Sequence, residues 1–140
     1  MGLIKPNDPD IISFNKNSVL QLRPLEDLSK IKDLVRGMLI PGEEILMAFV
    51  VVRDQLIFTN KRIIAVNVRG VTGMKKLFLS MPYQHIQYFG VQTPGFMEII
   101  TDAELTLYFS NGVCTQLEFQ GKTDIALLAK TISRYTLMEK

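Results

Sequence analysis

The stretch from Val50 to Val66 constrains the fold more than any other part of the chain. It reads as three short strands on two tight turns, because β-branched and aromatic runs are interrupted first by Arg53-Asp54 and then by Thr59-Asn60-Lys61-Arg62. Asn60 tolerates the left-handed backbone that a two-residue hairpin turn asks for, so the second turn has a physical basis as well as a pattern. Just before it, Ile45 to Val52 is an unbroken apolar run. Such a strand is buried on both faces, or covered by a helix or a partner chain.

The chain ahead of this stretch divides in two. Residues 1–22, with Pro6, Asp8, Pro9 and Asp10, read as an extended or partly disordered arm, whose short apolar pieces, Ile11-Ile12 and Val19-Leu20, either dock on a neighbour or belong to a loose terminus. Pro24 then takes a first helical position, with Glu26 and Asp27 in the first turn. Leu25, Leu28, Ile31, Val35 and Met38 recur at helical spacing, and Pro41-Gly42 stops the element. The expectation is an amphipathic helix of three to four turns, with residues 1–40 an arm plus helix and 41–140 a β-rich domain.

Beyond the central hairpin, alternating segments at 76–81, 85–91, 96–101, 104–109 and 113–119 predict further strands. Ile86 and Tyr88 fall on one face, opposite Gln87 and Phe89. Ser110-Asn111-Gly112 predicts a hairpin with positive φ at both central positions. Thr123 is a candidate cap for a final helix whose stripe is Ile125, Leu128, Ile132 and Tyr135. No helix separates consecutive strands, which excludes doubly wound parallel folds. The fold class is mainly β with terminal α: about seven antiparallel strands forming a sandwich or partly open barrel, stoppered by the C-terminal helix.

At 140 residues this is one domain with a helical extension. A single Cys precludes an internal disulfide, so packing alone holds the fold, as suits a reducing cytosol. Pro6 interrupts the N-terminus before any export signal develops, and Gly2 lacks the Ser or Thr that myristoylation wants at position 6. The apolar run ending at Val52 is far shorter than the roughly 18 residues that span a bilayer. A cytoplasmic protein is expected. Catalysis has little to work with: His85 and Cys114 lie on different strands, nothing has zinc spacing, and no glycine loop leads into a helix to cradle phosphate. No enzyme activity, cofactor or metal is expected.

Net charge is only +2, but it is unevenly spread. Arg53, Lys61, Arg62, Arg69, Lys75 and Lys76 face a single acid, Asp54, between residues 53 and 76. From Leu77 to Gly121 there is no Lys or Arg, while Glu98, Asp102, Glu104 and Glu118 occur. Phe78 stands almost alone among the cations, so the aromatic interleaving of a nucleic-acid binder is missing.

Val52-Arg53-Asp54, Phe58-Thr59-Asn60-Lys61-Arg62, Gly70-Val71-Thr72-Gly73, Lys75-Lys76, Ser80-Met81-Pro82-Tyr83, Ala103-Glu104-Leu105 and Thr123-Asp124-Ile125 occur in order with few gaps. In these residues the chain resembles the bacterial pleckstrin-homology (PH) domain family over about residues 40–137. The resemblance implies a PH-like barrel of two roughly orthogonal antiparallel sheets plugged by the last helix. It also implies ring-like homo-oligomers and no known enzymatic activity. Pro94 to Asp102 departs from the family's usual wording, and residues 1–40 are longer and more helical than its pattern. Eukaryotic PH domains that bind phosphoinositides use a long basic first loop, whereas Arg53-Asp54 is short and carries its own acid.

The candidate partner surface therefore pairs Arg53, Lys61, Arg62, Arg69, Lys75 and Lys76 on one side with Glu98, Asp102, Glu104 and Glu118 on the other. Unlike patches on one subunit favour a head-to-tail contact between copies, closing into a ring where the rotation permits. The apolar first strand would supply most of the affinity. The same cations suit anionic membrane lipid, an unidentified protein partner, or simple protection of sheet edges.

Overall fold

The computed structural model describes residues 22–69, 75–92, 103–120 and 123–138. Residues 1–21 of the expected arm, the loop at 70–73, the strand expected at 96–101, and Glu98 and Asp102 lie outside them, as does the side chain of Arg69, while Leu22, the arm's last residue, is buried in the core. The described residues form eight strands and two α-helices: β1 (Arg23–Pro24), α1 (Asp33–Met38), β2 (Ile45–Val51), β3 (Asp54–Thr59), β4 (Arg62–Arg69), β5 (Lys75–Pro82), β6 (Ile86–Gln92), β7 (Ala103–Phe109), β8 (Cys114–Phe119) and α2 (Ile125–Leu137). β1 to β5 make one antiparallel sheet in chain order, and β6 to β8 a second.

Among the described residues backbone pairing does not close the two sheets into one barrel, but side chains from both fill a common core. Phe49, Phe58, Ile63 and Ala65 from the first sheet meet Leu105, Leu107, Leu117 and Phe119 from the second. Leu128 and Ile132 of α2 complete this core, with Ile125 and Tyr135 packed against it. The helix thus stoppers the space between the sheets, as its apolar stripe requires. Leu22 joins the sheets at one corner. Its N–H donates to the Glu118 carbonyl at 3.0 Å and its carbonyl accepts from Gln120 N–H at 2.9 Å, while the next two residues pair with β2.

The outer face of the larger sheet carries a second apolar layer. Ala48, Ile57, Ile64 and Val66 pack there against Ile31 and Val35. This explains the unbroken apolar run of β2: Phe49 and Val51 serve the inner core, Ala48 the outer one, and the cover comes from the same chain.

That cover is not the long helix expected from Pro24. Pro24 lies in β1, Leu28–Lys30 is a 3-10 turn capped by the Asp27 carboxylate, and only Asp33–Met38 is α-helical. The reason is a buried amide on β3. Gln55 Oε1 accepts from Lys32 N–H at 3.0 Å and Gln55 Nε2 donates to the Lys30 carbonyl at 3.0 Å, satisfying backbone groups that a helix would have used. Ile31 and Val35 are accordingly buried, whereas Leu28 and Met38 are exposed.

Other local expectations shift for equally specific reasons. The first turn is Val52-Arg53, with Asp54 already in β3. At the second turn Asn60 has no positive φ. Instead Thr59 Oγ1 accepts from Lys61 N–H and Arg62 N–H, both at 3.0 Å, while Asn60 Oδ1 accepts from Glu44 N–H at 2.8 Å. In the β7–β8 hairpin only Gly112 takes positive φ, because Gly112 N–H bonds the Phe109 carbonyl and Asn111 Oδ1 accepts from Val113 N–H. This is a three-residue loop with one left-handed residue. A register shift between Ile86 and Tyr88 turns Tyr88 outward and Phe89 inward, reversing the expected alternation. Asp124, not Thr123, caps α2 by accepting from Leu127 N–H at 3.0 Å.

Candidate interaction surfaces

The cations of β3 to β5 do not form one patch. Arg62 sits opposite Pro82 and Arg69 opposite Lys75, so Lys61 and Lys75 lie at opposite ends of an eight-residue ladder, about 23 Å apart. Arg62 is spent inside the chain. Its Nε and Nη2 donate to the two carboxylate oxygens of Glu43, each at 2.9 Å, Nη2 also reaches the Met38 carbonyl at 2.8 Å, and Nη1 reaches Ser80 Oγ at 3.0 Å. The Glu43 side chain is wholly buried and that of Arg62 only 16% exposed. Burial alone would raise the Glu43 carboxyl, but donation by Arg62, Thr59 Oγ1 and Ile40 N–H outweighs it and holds the group below its ordinary value. Next to this network, Tyr83 O–H donates to the Thr59 carbonyl at 2.7 Å, and its burial raises the phenol well above the usual range.

Among the described residues of these strands and turns, Lys61 is exposed at one end and Arg53, Lys75 and Lys76 at the other. Between Arg53 and the lysines, Asp54 accepts from Val68 N–H at 2.7 Å and from Asn67 Nδ2 at 3.1 Å, which fixes the turn against β4. The tip of that turn is Val52, 68% exposed and with φ of 53°. A β-branched residue in the left-handed region is strained by about 1 kcal/mol or more. Val52→Asn is expected to raise stability by about 0.5–1 kcal/mol, read as a higher urea midpoint at unchanged slope. A lower midpoint would contradict the strain.

The acidic side is the outer face of the smaller sheet. Glu104 and Glu118 are directly opposite each other in the β7–β8 register, and Gln116 Nε2 donates to Glu104 Oε1 at 3.0 Å. Like charges at directly opposed positions are destabilising. On the same face, Tyr88 and Tyr108 stack with ring centroids 4.2 Å apart and planes 10° from parallel. Tyr88 is 58% exposed, an unusual expenditure of aromatic surface in water. Cys114 is opposite Tyr108.

His85 ends a 3-10 turn between β5 and β6, and its carbonyl, not its ring, binds Ser110 N–H at 2.9 Å. It borders a groove of about 400 Å³ between the end of β5 and the β7–β8 hairpin, with Met81, Pro82, Phe109 and Val113 as apolar walls and Asn111 at the rim. A recess of about 540 Å³ beside Lys61 is lined by Tyr83, Gln84 and Tyr135. Among the described residues no His, Cys, Asp and Glu cluster suited to a metal ion occurs, and no helix is long and apolar enough to cross a membrane.

A family model described as Bacterial PH domain matches residues 13–136, nearly the whole of the chain. The chain belongs to this family. Among relatives of this PH domain chain in sequence, the uncharacterized protein YjqA of Bacillus subtilis (strain 168) is 36% identical over 67% of this chain and 74% of its own. The uncharacterized protein YozO of the same organism is 28% identical over 72% of this chain and 85% of its own. In structure, the chain is similar to a DUF1696 family protein with a pleckstrin-homology domain from Shewanella loihica PV-4, with TM-score 0.71 and 32% identity, covering 83% of this chain and 97% of that one. A pleckstrin homology domain from Shewanella amazonensis SB2B aligns with TM-score 0.61 and 38% identity over 80% and 90%. The PH fold of two antiparallel sheets and a C-terminal helix is thus shared with bacterial PH domain proteins.

Glu43, Gln55, Val52 and the Tyr88–Tyr108 pair escape sequence reasoning. A clue existed for Gln55, a lone amide at the head of an apolar run that has to find partners once buried. Glu43 carries no such mark, because its partner is nineteen positions away at the start of β4.

Proposed function

We propose that this bacterial PH domain is a non-enzymatic interaction module that associates with copies of itself, the Lys75-Lys76 end of one subunit meeting the Glu104-Glu118 face of the next. The observation that supports the reading is that outer face, which carries an exposed tyrosine stack at one end and, four residues further along β7 at about 13 Å, two opposed carboxylates that an external cation would relieve. β2 has its apolar surplus covered by Ile31 and Val35, so the affinity comes from Tyr88 and Tyr108 instead. Exposed ion pairs contribute only about 0–1 kcal/mol each, so charge sets register and partner choice. Unlike surfaces make the contact heterologous, hence a ring where it closes.

Charge reversal tests this. Glu104→Lys with Glu118→Lys is expected to lower the sedimentation coefficient, as is Lys75→Glu with Lys76→Glu, and mixing the two variants restores association. Unchanged association in both variants would end the reading.

A second reading has its own support. Val52 projects from a hairpin tip beside Arg53, at the end of the sheet that also carries Lys75 and Lys76. An exposed aliphatic among cations suits peripheral contact with anionic lipid. Cosedimentation with phosphatidylserine vesicles that Val52→Asp abolishes would favour it; no cosedimentation at low salt would remove it.

A further inference from the structure

We infer that the free edge of β5, continued by the groove beside it, is a docking site for an extended peptide that is apolar in its first half and acidic in its second. The inference rests on the interaction-module reading but not on self-association. β5 is the last strand of its sheet and pairs along its whole length with β4 on one side. Among the described residues no strand pairs with its other edge, whose backbone N–H and C=O groups are a template for an added strand.

Lysines and proline at an edge are common protection against sticking, and Lys75, Lys76 and Pro82 fit that role. Protection does not explain why the edge runs into an apolar-walled groove of about 400 Å³ formed with Phe109 and Val113 of the other sheet. A volume of that order accommodates one or two aliphatic side chains. Polarity along the strand is equally marked: exposed Lys75 and Lys76 stand at its first end, Met81 and Pro82 at its last, and no acid lies between.

Every strand pair in the sheet is antiparallel, and a strand added in that sense begins where β5 ends. Its first residues then lie over the Met81–Phe109 groove and its last beside Lys75 and Lys76. Charge complementarity selects acid for the last part, and the groove selects an aliphatic for the first.

The probe is a fluorescein-labelled octapeptide whose first half alternates Val and Thr and whose second half alternates Glu and Thr, compared with the same residues in reverse order. Anisotropy is expected to show saturable binding, about tenfold tighter for the forward peptide and weakened about tenfold by Lys75→Glu with Lys76→Glu. Amide NMR shifts are expected at residues 76–81 and 109–113. Glu104→Lys with Glu118→Lys lowers self-association and, because both contacts draw on Lys75 and Lys76, leaves peptide binding intact or tighter, which separates this site from the subunit contact; loss of peptide binding in this variant would overturn the inference. Absence of saturable binding, equal affinity for the two peptides, or shifts confined to other strands would overturn the inference.

Discussion

Glu43→Ala is expected to lower the unfolding free energy by about 3–5 kcal/mol, close to the limit of what one substitution does to a domain of this size. The loss exceeds the net worth of the ion pair. Removal of the carboxylate leaves Arg62 largely buried without its counter-charge and strips the acceptor from Thr59 Oγ1 and Ile40 N–H. Those groups join the 38–44 segment to the start of β4, so the α1 cover should loosen first. Glu43→Gln keeps one acceptor and the shape, and is expected to cost less than the alanine variant. Equilibrium urea unfolding at neutral pH measures both.

The same network sets a pH dependence whose sign is fixed. The folded-state carboxyl of Glu43 lies below its ordinary value of 4.5, so its contribution is present above that value and is lost as pH falls through the folded-state value. The stability gap between wild type and Glu43→Ala should therefore narrow in acid below about pH 4 and stay level from pH 5 to 7. A gap that persists unchanged at pH 2 would show that the carboxylate charge is not what matters.

Phe119→Ala is expected to cost about 4 kcal/mol and to uncouple the sheets. The Phe119 ring is fully buried and meets Phe49 edge to face, with centroids 4.9 Å apart, and Phe49 meets Phe58 at 5.8 Å. This relay links β8 to β2 and β3, at the corner where Leu22 bridges the sheets. Hydrogen exchange should show Leu22 and Gln120 amides losing protection ahead of β3 and β4. Equal loss across both sheets would place the joint elsewhere.

Much of the fold was legible because it depends on short-range pattern. Leu105, Leu107, Val113, Thr115, Leu117 and Phe119 alternate as strand residues must, and all are buried. Leu128 and Ile132 mark the core face of α2 by helical spacing alone. What was not legible depends on partners distant in sequence. Nothing local says that Gln55 will hold the backbone at Lys30 and Lys32 and so break a helix that the spacing of Leu28 and Met38 would extend. The bulge beyond Ile86 inverts Tyr88 and Phe89, which strict alternation cannot anticipate.

The interaction surface shows the same division. The opposite signs of the two blocks are a property of sequence, whereas their subdivision is a property of register. Arg62 belongs to the fold and not to the surface, and Lys61 is a strand's length from Lys75. Glu104 and Glu118 gain meaning only when β7 and β8 set them side by side. Val52 reads as one more residue of an apolar run until the turn lifts it into solvent in a strained conformation, the sort of local cost that persists where a tip has a use.

Self-association is tested most directly by the molar mass from light scattering behind size exclusion, across protein concentration and at low and high salt. A mass of several subunits that falls on dilution, and falls further as salt screens the Lys75-Lys76 and Glu104-Glu118 contact, is the predicted result. A mass equal to 15.9 kDa at every concentration and salt would contradict it.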